Sequence, residues 1–228
     1  MNELIFFLQI IFIIISTLLF LRINKSALVA LVALQAVLAN LFVIKQIKIF
    51  GFNATCADTF IVGSILGLNL LQEYYGKNFS KKALYISFFS MIFYLLMSQM
   101  HILYIPAVFD NSQAFFKGIF KFAPRIIISS IAVYFIALLF NNKFYEYLRY
   151  KFDSKYLFLR NFISIVFTQL LDTILFVFTA LYGIVGSVWQ VMFVSFALKL
   201  LVIFLAIPFI GLYKKFLKRK IIDNGKDI

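Results

Sequence analysis

The sequence predicts an all-α integral membrane protein, and three observations predict it. Of 228 residues, 64% are apolar and only 14% are charged, whereas soluble domains are nearer half apolar and a quarter charged. The mean hydropathy is +0.99. Thirty-one Phe and twelve Tyr add bulky apolar surface that no water-soluble fold of this length can hide. Runs such as Leu4–Leu21 are apolar on every face, which suits a spanning helix of roughly 20 residues and excludes the alternation of a barrel strand.

Seven candidate spans follow in order: Leu4–Leu21, Ala27–Ile44, Ala54–Tyr75, Ala83–Ile105, Arg125–Phe140, Asn161–Tyr182 and Trp189–Tyr213. The first lacks a basic n-region, carrying Glu3 instead, and has no A-x-A site, so it reads as a retained helix rather than a cleaved leader. Arg22–Ser26, Lys45–Asn53 and Gly76–Lys82 are short polar links, while Pro106–Pro124 and Asn141–Arg160 are longer connections. Phe109, Phe115, Phe116, Phe120 and Phe122 interleave with Lys117 and Lys121 in the first of these. That pattern fits a helix lying in the interface, or a lid over a cavity. The expected organisation is an extra helix and link over 1–26, a six-helix core over 27–213 and a basic tail over 214–228.

The net charge of +13 encodes orientation. With alternating links, sixteen Lys and Arg collect on the side that includes Lys81, Arg149 and Lys214–Lys220, against five on the side of Lys45 and Lys117. Basic loops stay cytoplasmic, so the N-terminus is expected outside and the C-terminus inside the cell inner membrane, with basic residues against anionic lipid. This placement argues against a nucleic-acid partner. Cys56 and His101 each stand alone, so neither a disulfide nor a transition-metal site is expected. No phosphate loop, nucleophile elbow or zinc-protease helix is present. No enzyme chemistry and no cofactor are expected.

Polar residues inside apolar segments are the informative set, because charge at membrane depth costs a few kcal/mol and usually faces a cavity or a partner. Asp172 and Lys199 lie deep in their spans, and Glu73 lies nearer an end. Thr168, Gln169 and Asp172 are three or four residues apart and so share a helix face. Spacing leaves two readings open: a ligand site, or an Asp172–Lys199 pair serving as interhelical glue. Asn69, Gln72 and Glu73 form a second group, Asn40 stands in the second span, and Arg125 opens the fifth behind Pro124. Glu73 could simply snorkel toward Lys77, and Arg125 could be an interface anchor.

These features occur in a specific order. Ala39-Asn40-Leu41 leads to Lys45, and Asn69-Leu70-Leu71-Gln72-Glu73-Tyr74-Tyr75-Gly76 to Lys81-Lys82-Ala83. Pro124-Arg125-Ile126 runs on to Ser129-Ser130, Ala132 and Tyr134. Gln169-Leu170-Leu171-Asp172-Thr173 with Phe176, then Lys199, Pro208 and a basic tail, complete the series. Over roughly residues 30–215 the chain resembles the queuosine precursor transporter family, of the vitamin-uptake-transporter type. The resemblance implies a six-helix core that carries a purine-like 7-deazaguanine base, as the cyano or aminomethyl form or as queuine. It implies Asp172 and Gln169 as base readers, and Arg125 and Lys199 as charge partners or ligands of the base carbonyl. Glu73, Asn69 and Asn40 would complete the polar cavity. Two departures are visible: relatives often carry Asp where Asn69 stands, and Leu4–Leu21 precedes the common core.

Chemistry agrees with that implication. A guanine-like base presents two adjacent donors that a carboxylate accepts, an amide serves carbonyl and amine edges alike, and aromatic rings stack on the base. Phe176, Tyr134 and Trp189 are the candidate rings. The alternatives are the substrate-capture subunit of an ATPase-driven importer, and a membrane scaffold.

Overall fold

The computed structural model describes residues 1–152 and 157–201. Helix α1 (Asn2–Ile23) carries Glu3 in its first turn and Arg22 in its last, charges that complement the helix dipole. Asn24 then stops one helix and starts the next. Its backbone is extended, and its side-chain oxygen accepts from the Ala27 N–H at 2.7 Å, capping α2 (Lys25–Phe42).

A correction follows. The link Lys45–Asn53 and the first residues of the third expected span form an antiparallel hairpin, β1 (Gln46–Ile49) with β2 (Phe52–Thr55). Phe50 and Gly51 make the turn with φ of 49° and 84°, the left-handed pair that tight hairpins need. The hairpin is pinned at both ends of the chain. Glu3 accepts from the Phe50 N–H (3.0 Å) and Asn2 donates to the Lys48 carbonyl (3.0 Å). Gln46 accepts from the Gly186 N–H (2.9 Å), and Gln190 accepts from the Asn53 N–H (3.2 Å).

The third span therefore begins at Asp58, as α3 (Asp58–Tyr75). Gly76, at φ 85°, turns the chain into α4 (Lys77–Leu103), a conformation only glycine adopts readily. Helix α5 (Gln113–Phe120) has no buried residue. It folds back on the end of α4 through Gln99 to the Phe120 carbonyl (3.0 Å) and His101 edge-on to Phe116 (5.3 Å). His101 is thus an exposed residue held against the rings of α5. Helix α6 (Ala123–Lys151) starts on Pro124 and runs well past Phe140, so most of the expected link Asn141–Arg160 is helical. No Pro or Gly interrupts that stretch, and a polar extension of a spanning helix can hydrogen-bond its own backbone in water. Helix α7 (Leu157–Phe176) passes into a π-turn (Val177–Leu181), and α8 (Val188–Leu201) closes the described chain. The expected tail 214–228 lies outside the described residues.

Five of these helical stretches are long and apolar enough to cross a membrane, and two shorter apolar helices, Asp58–Gln72 and Val188–Leu201, fill the remaining positions in order. The architecture is that of an all-α membrane protein. Helix α2 lies at its centre, against α1, α3 and α4. Leu28 and Val32 of α2 pack with Leu66, Leu70 and Leu71 of α3. Close approach there depends on Gly63 and Gly67, four residues apart: a Cβ on Gly67 would stand 2.5 Å from Val32. Small residues at this spacing are how helices pack in lipid. Outward faces are apolar instead, with Phe12, Phe89 and Phe93 each about two-thirds exposed or more, as a hydrocarbon solvent allows.

Candidate functional site

The face of α3 opposite its two glycines carries Ile61, Ser64, Ile65, Leu68 and Asn69, and these line a cavity of ≈ 330 Å³. Helix α2 supplies Asn40, α4 supplies Phe88 and Met91, and α6 supplies Ser130 and Tyr134. Helices α7 and α8 close it with Gln169, Asp172, Phe176 and Lys199. Volumes of about 300 Å³ are at the small end of ligand pockets.

Its polar centre is an ion pair between helices. Lys199 Nζ donates to Asp172 Oδ2 at 2.5 Å and to Thr173 Oγ1 at 3.0 Å. Thr173 in turn donates to the Gln169 carbonyl one turn back (2.7 Å). The Lys199 side chain is 8% exposed and that of Asp172 is 27% exposed, so the carboxylate is the member turned toward the open space. Its second oxygen, Oδ1, makes no hydrogen bond among the described residues. The Gln169 amide is likewise without a partner there. Asn40 spends its donor on the Ala36 carbonyl (2.8 Å) and Met91 Sδ (2.9 Å), leaving its carbonyl oxygen to an occupant. Free acceptors and a free amide thus belong to the lining of one cavity. Phe88, edge-on to Tyr134 at 5.0 Å, is aromatic wall.

Five of the seven expected site residues are brought together: Asn40, Asn69, Gln169, Asp172 and Lys199 all line the cavity. Asn69 is exposed and stands at its mouth. The backbone of Glu73 is helical, one turn further along α3, and its side chain lies outside the described residues. Arg125 is a correction. It is absent from the cavity wall and donates from Nε to the Thr179 carbonyl at 2.8 Å. Thr179 lies in the last turn of the helical run ending at Leu181, where carbonyls have no partner within the helix, and Arg125 takes this one up.

Two smaller corrections concern neighbours. Thr168 faces α6, where it and Ser164 both donate to Asn141 Oδ1 (3.1 and 2.7 Å); the hydroxyl that joins Asp172 is on Thr173. Of the three candidate rings, Phe176 and Tyr134 line the cavity, but Trp189 is 69% exposed and lies edge-on to Phe178 at 5.9 Å. Helix α5 contributes no cavity residue, so it is no lid, and the interfacial reading fits it. Among the described residues no three His, Cys, Asp or Glu side chains converge, and the cavity's chemistry rests on hydrogen bonds and one ion pair.

Sequence reasoning passed over Asp58. It is 3% exposed at the head of α3, beside the cavity-lining Ala57. Thr55 donates to its Oδ2 (3.3 Å), and Asp58 has no ion-pair partner among the described residues. The signal was a carboxylate within the boundaries of an expected span; its position near the end disguised it as interfacial.

Comparison with known proteins gives a consistent result. Residues 55–213 match a family model described as "Putative vitamin uptake transporter". The "Probable queuosine precursor transporter" of Bacillus subtilis (strain 168) is 30% identical over 195 residues, which cover 84% of this chain and 85% of that protein. No solved structure matches the chain.

Proposed function

The chain belongs to the vitamin uptake transporter family, and from that premise we propose that it imports a queuosine precursor across the cytoplasmic membrane. The cargo is a 7-deazaguanine base in its cyano or aminomethyl form, or queuine. The observation that supports this reading is that Asp172, Gln169 and Asn40, each with a polar atom left unpartnered among the described residues, line one cavity with Phe176 and Tyr134. Asp172 accepts from the ring N–H and the exocyclic amine. One of its oxygens already holds Lys199, but a carboxylate oxygen has two lone pairs and can accept twice. Gln169 reads the carbonyl edge, and Asn40 accepts from a remaining N–H. Lys199 fixes the carboxylate's orientation from behind rather than contacting the base first. An aminomethyl substituent would add a cation that the carboxylate attracts.

The deciding experiment is uptake of radiolabelled base by the purified protein alone in liposomes. Saturable uptake is expected. Binding without uptake would instead identify the capture subunit of an ATPase-driven importer, and neither binding nor uptake would leave the polar residues as glue of a scaffold.

Orientation belongs to the same reading. The charge asymmetry puts the hairpin β1–β2 outside and the C-terminus in the cytoplasm. A C-terminal alkaline phosphatase fusion should be inactive, since that reporter works only outside; high activity would reverse the topology.

A further inference from the structure

The interior holds two carboxylates against one ammonium among the described residues. Among the described residues, the ionisable side chains deep in the helical core are Asp172, Asp58 and Lys199. The ammonium of Lys199 is bonded to Asp172, and Asp58 has no ion-pair partner among the described residues. An unpaired charge in such a place is costly. Lys199 can engage fully only one carboxylate at a time, and it is seen on Asp172. The remaining carboxylate is therefore stable when neutral.

Its surroundings fit a neutral acid. The Thr55 hydroxyl at its Oδ2 can accept from a protonated carboxyl as well as donate to an ionised one. The other titratable or charged groups facing this point are Cys56, just before α3, with Lys45 beyond it, and Asp172 on the far side of the ammonium. A metal cation at Asp58 would stand beside the Lys199 ammonium and be repelled. A proton cancels the charge without adding a second positive centre.

We propose that Asp58 is a proton-carrying group that couples base import to proton entry, through competition with Asp172 for Lys199. With the proton on Asp58, Lys199 stays on Asp172 and holds the carboxylate in its base-reading position. When that proton leaves, the ionised Asp58 draws the ammonium away, Asp172 loses its support and the base is released. One proton binds and one proton leaves per cycle, in the direction of the base. Asp58 directly follows the hairpin, at the end of the bundle that the charge rule places outside, so it is loaded from that side. Asp58 lies behind the cavity wall rather than on it, which separates the coupling group from the reading groups.

This inference rests on the transport reading, and the test separates the two. Purified protein in liposomes is assayed for exchange of labelled against unlabelled base, and for net accumulation under an inward proton gradient or an inward sodium gradient. Wild type should exchange, and a gradient of one pH unit should support accumulation of up to about tenfold for one proton per base. Sodium alone should give none. Asp58→Asn mimics the protonated acid and should keep exchange while losing gradient-driven accumulation. Should that variant fail to insert, the wild-type arms still decide. Exchange with no response to the proton gradient, or accumulation driven by sodium, overturns the proposal and leaves the transport reading standing. Accumulation by Asp58→Asn under the proton gradient also overturns it. Absence of exchange in folded wild type defeats both readings.

Discussion

Lys199 Nζ and Asp172 Oδ2 meet at 2.5 Å across α7 and α8, and Thr173, next to Asp172, binds the same ammonium at 3.0 Å. Neither partner can be removed alone without leaving a charge in an apolar interior. Breaking a buried pair from one side typically costs about 3–5 kcal/mol, whereas replacing both members is often near neutral. The 27% exposure of Asp172 puts this case at the lower end. Lys199→Met should therefore lower the melting temperature in detergent more than Lys199→Met with Asp172→Leu. Equal losses for the single and the double change would mean that the two charges are not coupled.

Arg125 offers a separate prediction, because it holds the π-turn and not the cavity. Removing an exposed hydrogen bond of this kind should cost about 1 kcal/mol of stability. Phe176 stands just before the π-turn and lines the cavity, so Arg125→Ala should slow uptake by loosening that wall. Equilibrium affinity for the base should stay within about twofold, a shift below 0.5 kcal/mol. A loss of affinity as large as that of a cavity residue would restore Arg125 as a ligand.

Much of this arrangement was legible in the sequence, and the limits have physical causes. Hydropathy located the apolar helices, five of which are long enough among the described residues to match the thickness of a bilayer. Asp172, Gln169, Asn40, Asn69 and Lys199 were legible because a polar residue within an apolar segment demands a reason in lipid. The hairpin was not, since Gln46–Thr55 is too short to separate from a polar link by composition; Gly51 after alternating Ile47 and Ile49 was its only mark. Arg125 misled for a different reason. Its charge was visible, but the carbonyl it binds belongs to the last turn of a helix on another segment, and hydropathy does not mark where that helix ends.

Gly63 and Gly67 are opposite the cavity-lining face of α3, which predicts a division of effects. A Cβ on Gly67 meets Val32 at 2.5 Å, and one on Gly63 meets Ile13 at 2.3 Å and the Gln35 amide at 2.8–2.9 Å. Val and Ile are stiff side chains that yield little. Gly67→Ala and Gly63→Ala should each destabilise by about 1–3 kcal/mol through overpacking, lowering the melting temperature. Protein that does fold should bind the base normally. Unchanged melting temperatures in both variants would show that α2 and α3 are not in the tight contact described.

The sharpest prediction separates reading the base from holding the helices. Gln169 makes no side-chain hydrogen bond among the described residues, so Gln169→Ala should leave stability nearly unchanged. It should still weaken base binding, because the carbonyl edge loses a partner. A buried group left unpaired costs about 1–3 kcal/mol, or roughly 5- to 150-fold. Water entering a polar cavity replaces part of the contact, so the expected loss is at the lower end. Asp172→Asn should abolish uptake, since the amide loses the charge and the second acceptor that two base donors require. That variant also strands Lys199, which confounds its folding. Asp172→Asn combined with Lys199→Gln removes the stranded charge and should recover the melting temperature while uptake stays lost. The readout is queuosine in transfer RNA of cells that cannot make the base and depend on its import, at low external base and matched expression. Normal queuosine in the folded double variant would show that Asp172 serves only to hold α7 against α8, and the base would then be read elsewhere.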